Sequence, residues 1–122
     1  VSGSGFIQQA RLIDSANVST KPDLQLWLFD HPITMDVDNA VFTPTDDELL
    51  RLGAIIAFPT SAFVVGDATS GADGNSVCDA QDLRIPFALA SGDTELFGVL
   101  VVRNAYVPVS AERFDIRLKI KD

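Results

Sequence analysis

The segment that most constrains this 122-residue chain is residues 113–120, where apolar and charged residues alternate without a break. Its apolar members are Phe114, Ile116, Leu118 and Ile120, and every residue between them carries a charge. Successive side chains of a β-strand point to opposite faces of the sheet. The segment therefore predicts a strand with one face buried against a second layer and the other face in water.

Other apolar segments of strand length recur along the chain between residues typical of turns. The unbroken apolar run at 96–102 predicts a central strand that is covered on both sides. Pro86 cannot donate a backbone hydrogen bond, so its segment is expected at a sheet edge. The predicted strands are residues 6–14, 24–29, 54–58, 62–65, 77–78, 84–89, 95–103 and 113–120, with a short extended piece at 106–109.

One short helix is predicted near residues 45–52, because Thr45 and Glu48 form a capping box and acidic residues fill the first turn. Gly53 is expected to end this helix. A helix of about two turns is not stable alone, so Leu49, Leu50 and Leu52 are expected to pack on the sheet.

These elements predict an all-β fold, an antiparallel β-sandwich that is jelly-roll-like and carries one short helix. With 47% hydrophobic residues, the chain has enough apolar side chains for an ordinary core. Residues 1–5 are rich in Gly and Ser and are expected to form a flexible N-terminal arm. Residues 6–122 are expected to form a single β-sandwich domain.

The formal net charge is −8, which disfavours nucleic acid and anionic membranes as partners. No apolar run approaches the length of a membrane-spanning helix. The largest group of cations, Arg113, Arg117, Lys119 and Lys121, alternates with Asp115 and is interpreted as the solvated face of the last strand.

No motif in the sequence predicts an active site, and we expect a protein that is not an enzyme and holds no cofactor or metal. The single cysteine, Cys78, is interpreted as a buried apolar residue, and the single histidine, His31, is not expected to activate it. Calcium binding stays open, because loop acids occur at residues 36–39 and 67–75, although neither stretch fits an EF-hand.

A sugar-binding surface is also considered, because it would use exposed aromatic side chains. Trp27 is the main candidate, but it lies within the apolar strand 24–29, where core packing is favoured. Gln25 shares a face with Trp27 and Phe29, so this face is expected to be partly exposed or covered by a loop.

Several segments together resemble small structural proteins encoded among the head genes of tailed bacteriophages. The likeness covers roughly residues 6–120, in the same order, and its motifs are structural. They are residues 24–30 (Leu-Gln-Leu-Trp-Leu-Phe-Asp), 38–42 (Asp-Asn-Ala-Val-Phe), 45–49 (Thr-Asp-Asp-Glu-Leu), 53–56 (Gly-Ala-Ile-Ile) and 96–101 (Leu-Phe-Gly-Val-Leu-Val).

The resemblance implies a decoration or cement protein, assembled in the host cytoplasm, that binds the major capsid protein on the exterior of the virion and stabilises the shell. It also implies a dimer or trimer on that shell. The arm is the candidate contact, by adding a strand to a capsid sheet; its residues are Val1, Ser2, Gly3, Ser4, Gly5 and Phe6. A carbohydrate-binding or adhesin-like module and a small tail or connector component remain as alternatives.

Overall fold

A computed structural model describes residues 3–34, 41–89 and 92–121. Eight strands, one α-helix and one 3-10 turn make up the regular structure of these residues. The strands are β1 Ser4–Asp14, β2 Leu24–Phe29, β3 Leu52–Phe58, β4 Phe63–Val65, β5 Ser76–Ala80, β6 Ile85–Ala88, β7 Phe97–Val102 and β8 Phe114–Lys121; the helix is α1 Asp46–Leu49, and the 3-10 turn is Thr60–Ala62.

The strands form two antiparallel sheets, which confirms the predicted all-β sandwich. In the five-stranded sheet, β1 pairs with β8 along one edge. The other edge of β1 pairs with two strands: β6 lies beside its first half and β5 beside its second half. β4 pairs with the far edge of β5. The three-stranded sheet has the order β3-β2-β7, with β2 in the middle.

The main core lies between the two sheets. Leu24, Leu26 and Leu28 of β2 point into it, as the alternation of this strand predicts, and meet Leu12 of β1. The apolar side chains of β8, which are Phe114, Ile116, Leu118 and Ile120, pack at the border of this core and stay only partly buried.

The predicted central strand 95–103 is an edge strand in the structure, because β7 pairs only with β2. Its outer face is buried, whereas its inner face is covered only in part, because Val102 is exposed. Leu100 packs on the main core, whereas Val99 and Val101 are buried in a second, smaller core on the outer face of the three-stranded sheet. Ile33 and Phe42 from the β2–β3 connection cover this outer face, so the loop cover predicted for the Trp27 face is confirmed.

A β-bulge in β1 changes which side chains face the core. The register with β8 shifts between Ile7 and Gln9, so Ile7 is buried before the bulge and Ala10 and Leu12 are buried after it. The backbone carbonyl of Gln8 accepts a hydrogen bond of 2.9 Å from the Leu83 N–H. Strict alternation over residues 6–14 would place Ile7 and Leu12 on opposite faces, and the bulge brings both to the core.

The capping box of α1 is confirmed, but the helix is shorter than predicted. Thr45 Oγ1 accepts from the Glu48 N–H, and Glu48 Oε1 accepts from the Thr45 N–H. The helix ends after one turn because β3 already begins at Leu52, so Gly53 lies in a strand. Leu50 is 82% exposed, so the prediction that it packs on the sheet is wrong.

The turn-rich stretch before β5 is held against the rest of the domain rather than projecting freely. Asn17 and Gly71 exchange two backbone hydrogen bonds of 2.9 Å. Gly74 is buried, and a Cβ atom there would lie 1.8 Å from the Thr69 carbonyl oxygen. Only glycine fits this approach, so residues 66–75 form a fixed loop.

Candidate functional site

Three of the five residues of the predicted arm are held by backbone contacts with β6 or with the residue that follows it. Ser4, Gly5 and Phe6 belong to β1 and pair with β6, so they are not a free arm. Gly3 also accepts a backbone hydrogen bond of 2.7 Å, from Leu89. Val1 and Ser2 lie outside the described residues. The prediction of a flexible arm over residues 1–5 is therefore wrong for Ser4 and Gly5.

The outer face of the five-stranded sheet, here called the basic face, gathers most of the cations of this acidic chain. Six of the nine Lys and Arg residues lie on this face or at its rim. Three of them lie on β8 and one directly before it, and the other two come from β1 and from the segment before β6. They are Arg11, Arg84, Arg113, Arg117, Lys119 and Lys121.

Two of these cations are neutralised by neighbouring carboxylates. Arg11 contacts Asp79 through two hydrogen bonds of 2.7 and 2.9 Å, which raise the pKa of Arg11 and lower the pKa of Asp79. Arg113 Nε lies 3.1 Å from Asp115 Oδ2. Within residues 3–34, 41–89 and 92–121, the remaining four cations of the basic face form no ion pair.

A shallow groove of about 740 Å³ crosses one end of the basic face. Its lining supplies three cations, one carboxylate (Asp82), three glutamine amides and the side chain of Phe6, which is 49% exposed. Ammonium, guanidinium and amide groups are donors that suit carboxylate or other anionic partners. The lining residues are Phe6, Gln8, Gln9, Gln81, Asp82, Leu83, Arg84, Lys119 and Lys121.

Several acidic residues belong to elements that contribute nothing to the basic face. Asp46, Asp47 and Glu48 lie on α1, and Asp93 and Glu95 precede β7. The sequence could not locate the basic face, because its cations come from three separate segments that only the sheet brings together. Only the β8 group was visible as a cluster in the sequence.

A second unusual group surrounds Asp14, which is fully buried at the end of β1. Asp14 Oδ1 accepts a hydrogen bond of 2.9 Å from the Ala16 N–H, whereas Oδ2 has no donor among the described residues. Burial and the neighbouring Glu112 carboxyl raise the pKa of Asp14 to about 7, against smaller opposing effects of the hydrogen bond from the Ala16 N–H and of Lys21. Asp14 was not singled out from the sequence, where it ends an apolar strand.

Glu112 links this buried carboxyl to the segment before β8. Its Oε2 accepts a hydrogen bond of 2.5 Å from the Tyr106 hydroxyl, and its Oε1 accepts one from the Val109 N–H. Burial and Glu112 raise the pKa of Tyr106, so its hydroxyl keeps its proton. The protonated form of Asp14 can donate from Oδ2 to Glu112, which supplies the partner that Oδ2 lacks.

Trp27 is built into the outer face of the three-stranded sheet rather than presented as an open platform. Phe42 packs edge-on against its ring at a centroid distance of 5.4 Å, and the Arg103 guanidinium lies 5.7 Å from the ring centre. Its indole N–H donates to Gln25, which also accepts from Arg103. These contacts favour the core-packing interpretation of Trp27.

The other reactive side chains considered from the sequence are separated by the fold. Cys78 is buried in the main core, where burial raises the pKa of its thiol to about 11. His31 Nδ1 lies 3.1 Å from Asp30 Oδ1. The Asp67 carboxylate accepts from the Thr69 N–H, which lowers the pKa of Asp67, and residues 36–39 lie outside the described part.

Among the described residues, no three His, Cys, Asp or Glu side chains are grouped so that they could hold a metal ion. The same residues include no helix with the length and apolar character needed to cross a bilayer. Comparison of the chain with protein-family models, with curated proteins and with solved structures found no match.

Proposed function

We propose that this chain is a non-enzymatic structural protein of a tailed-phage virion, which binds the major capsid protein on the outer surface of the shell and stabilises it. The resemblance over residues 6–120 supports the phage assignment. The β-sandwich fold and the concentration of positive charge on one sheet face are compatible with a protein that covers another surface. Clustering of copies as dimers or trimers on the shell is part of the same proposal.

The basic face carries this proposal. A chain with a net charge of −8 repels other acidic surfaces overall, yet this face presents four cations without carboxylate partners among the described residues. Charge complementarity orients association and suppresses wrong partners. An acidic shell surface would therefore bind the basic face and leave the acidic remainder of the molecule toward water, where its charge favours solubility.

The assignment to the virion is tested by the copy number of this chain in purified particles, measured against the major capsid protein by quantitative mass spectrometry. We expect hundreds of copies in a simple ratio to the capsid subunit. A few dozen copies or fewer would instead indicate a tail or connector component. Absence from the particle would contradict the proposal and favour a sugar-binding module.

The orientation on the shell is tested by charge reversal on two sides of the molecule. Lys119→Glu on the basic face should weaken binding to shells that lack this chain, and should reduce the salt dependence of that binding. Arg51→Glu is the matched control, because it makes the same change of net charge beside α1, on an exposed residue. Equal loss of binding in both variants would show that only net charge matters.

The arm contributes to the proposal in a reduced form. If residues 1–5 were a free arm, their deletion would weaken capsid binding without changing the melting temperature. Because Ser4 and Gly5 pair with β6, that deletion now should also lower the melting temperature. Deletion of Val1 and Ser2 alone is the cleaner test of a capsid contact at the N-terminus, since it leaves every described strand pair in place.

A further inference from the structure

One side of the sandwich is left open by the unequal widths of its two sheets. β3 packs near β5 and β6, so β2 lies over the middle of the five-stranded sheet and β7 lies on the same side as β8. Both β7 and β8 are edge strands. The apolar side chains Leu118 and Ile120 of β8 are only partly buried there, and Val102 of β7 is 48% exposed.

The outer edge of β8 is eight residues long and has no backbone partner in the described chain. A free edge of this length is a template for pairing with another extended chain. Proteins commonly protect such edges with lysine, and Arg117, Lys119 and Lys121 alternate along the solvent face of β8. These cations deter basic strands, but they favour a strand that carries acidic side chains at the facing positions.

We infer that the free edge of β8 accepts an extended partner segment in which acidic and apolar residues alternate. The acidic side chains of that segment would face Arg117, Lys119 and Lys121, and its apolar side chains would cover the exposed border of the main core. The inference rests on the proposed function for the source of the segment, which is the shell protein. β8 also borders the basic face, so strand addition and charge pairing act on one continuous surface.

A second copy of β8 fits this edge less well. Side chains that face each other in an antiparallel pair must share one sheet face. In the two registers that pair nearly the whole strand and keep the apolar residues on one face, Arg117 lies opposite Arg117 or Lys119 of the other copy, and Asp115 lies opposite Lys119 or Lys121. Self-pairing therefore mixes like and opposite charges, whereas an acidic strand would place opposite charges at Arg117, Lys119 and Lys121 alike. Like charges directly opposite are destabilising, so charge favours an acidic partner over self-pairing.

The inference is tested by supplying such a strand from the chain itself. We would append Gly-Glu-Val-Glu-Val-Glu-Val after Asp122, so that Asp-Gly forms a two-residue hairpin turn and the glutamates face Lys121, Lys119 and Arg117. The control carries Gly-Lys-Val-Lys-Val-Lys-Val, with the same turn and the same apolar residues. Tm, hydrogen exchange of β8 amides and binding to shells lacking this chain are measured for both variants and the unextended protein.

We expect the glutamate extension to raise Tm by roughly 5 °C or more, to protect β8 amides and to abolish shell binding. The lysine extension should do none of these. Unchanged Tm and exchange in the glutamate variant would overturn the inference, as would full shell binding by a variant whose β8 edge is protected. If the unextended protein does not bind shells, the proposed function fails, while the melting and exchange data still decide whether β8 prefers an acidic strand.

Discussion

At the scale of single residues, Asp14 is the side chain whose surroundings most oppose its usual charge state. It ends a strand whose inward positions are otherwise apolar, and among the described residues its Oδ2 has no hydrogen-bond donor. Oδ2 gains a partner when Asp14 is protonated and donates its own O–H. In the folded protein the Asp14 carboxyl must therefore either be neutral or be repelled by Glu112. The stability of the protein therefore depends on pH.

The sign of this dependence follows from the raised pKa of Asp14. In the unfolded chain Asp14 loses its proton near pH 4, whereas in the folded chain it does so near pH 7. The folded state therefore binds more protons between these values, and the free energy of unfolding falls as pH rises from about 4 to about 7. Above pH 7 both states are ionised at this group, and the loss is complete.

Asp14→Asn should remove this dependence while keeping the bond from the Ala16 N–H, because the amide can also donate to Glu112. We expect the variant to match the native protein near pH 4 and to exceed its unfolding free energy by roughly 2–4 kcal/mol at pH 8. Urea denaturation at several pH values measures this difference. Asp93→Asn is the control at an exposed site, and a similar effect there would contradict the assignment to Asp14.

At the scale of elements, hydrophobic periodicity predicted the buried faces of strands better than it predicted the position of a strand in its sheet. The apolar run of β7 indicated a strand covered on both faces; its outer face is buried in the smaller core, while on its inner face Leu100 packs on the main core and Val102 is exposed. Its position at a sheet edge depends on pairing partners, which its own sequence does not contain. The same limit applies to α1, because the capping residues predicted its start, while its end was decided by β3.

The bulge in β1 gives a prediction about deletions. Gln8 and Gln9 together fill the space between the inward residues Ile7 and Ala10. Deleting Gln8 restores regular alternation and keeps Ile7 inward. The free energy of unfolding should therefore fall by only about 0.5–1.5 kcal/mol, because the hydrogen bond from the Leu83 N–H is lost. Deleting Arg11 instead puts Ala10 and Leu12 on opposite faces, and that variant should not fold.

Circular dichroism and thermal melting of the two deletion variants test this account of the bulge. A cooperative transition is expected for the protein without Gln8 and none for the protein without Arg11. If both deletions lowered stability equally, Gln8 would have a role beyond deciding which side chains of β1 face the core.

At the scale of the whole molecule, charge is segregated rather than averaged. The basic face combines cations from β1, β8 and the segment before β6, so it exists only in the folded protein. Composition predicted an acidic domain and could not predict this polarity. The free arm predicted at Ser4 and Gly5 was wrong for a related reason, since their pairing with β6 depends on a segment far along the chain. A capsid contact at the N-terminus stays a prediction.

Segregated charge predicts retention on a cation-exchange column at pH 7 despite a sequence pI near 4.3. Retention is expected at an ionic strength of about 0.1 M, where charges act over about 10 Å and the resin senses the basic face, and it should weaken near 10 mM, where charges act over about 30 Å and the net charge of −8 opposes it. Lys119→Glu should abolish retention, whereas Arg51→Glu should preserve it. Passage of the native protein through the column at about 0.1 M would show that the basic face does not act as a unit.

The pairing of β1 with β8 also has a consequence for how the protein is made. Phe6 lies opposite Lys121, so β1 waits until β8, the last of the described strands, has been synthesised before its longest pairing can form. During translation β1 can pair with β5 and β6, but its other edge remains open until β8 has left the ribosome. Long-range pairing of this kind slows folding, and a nascent chain with an exposed edge is prone to misassociate with its neighbours.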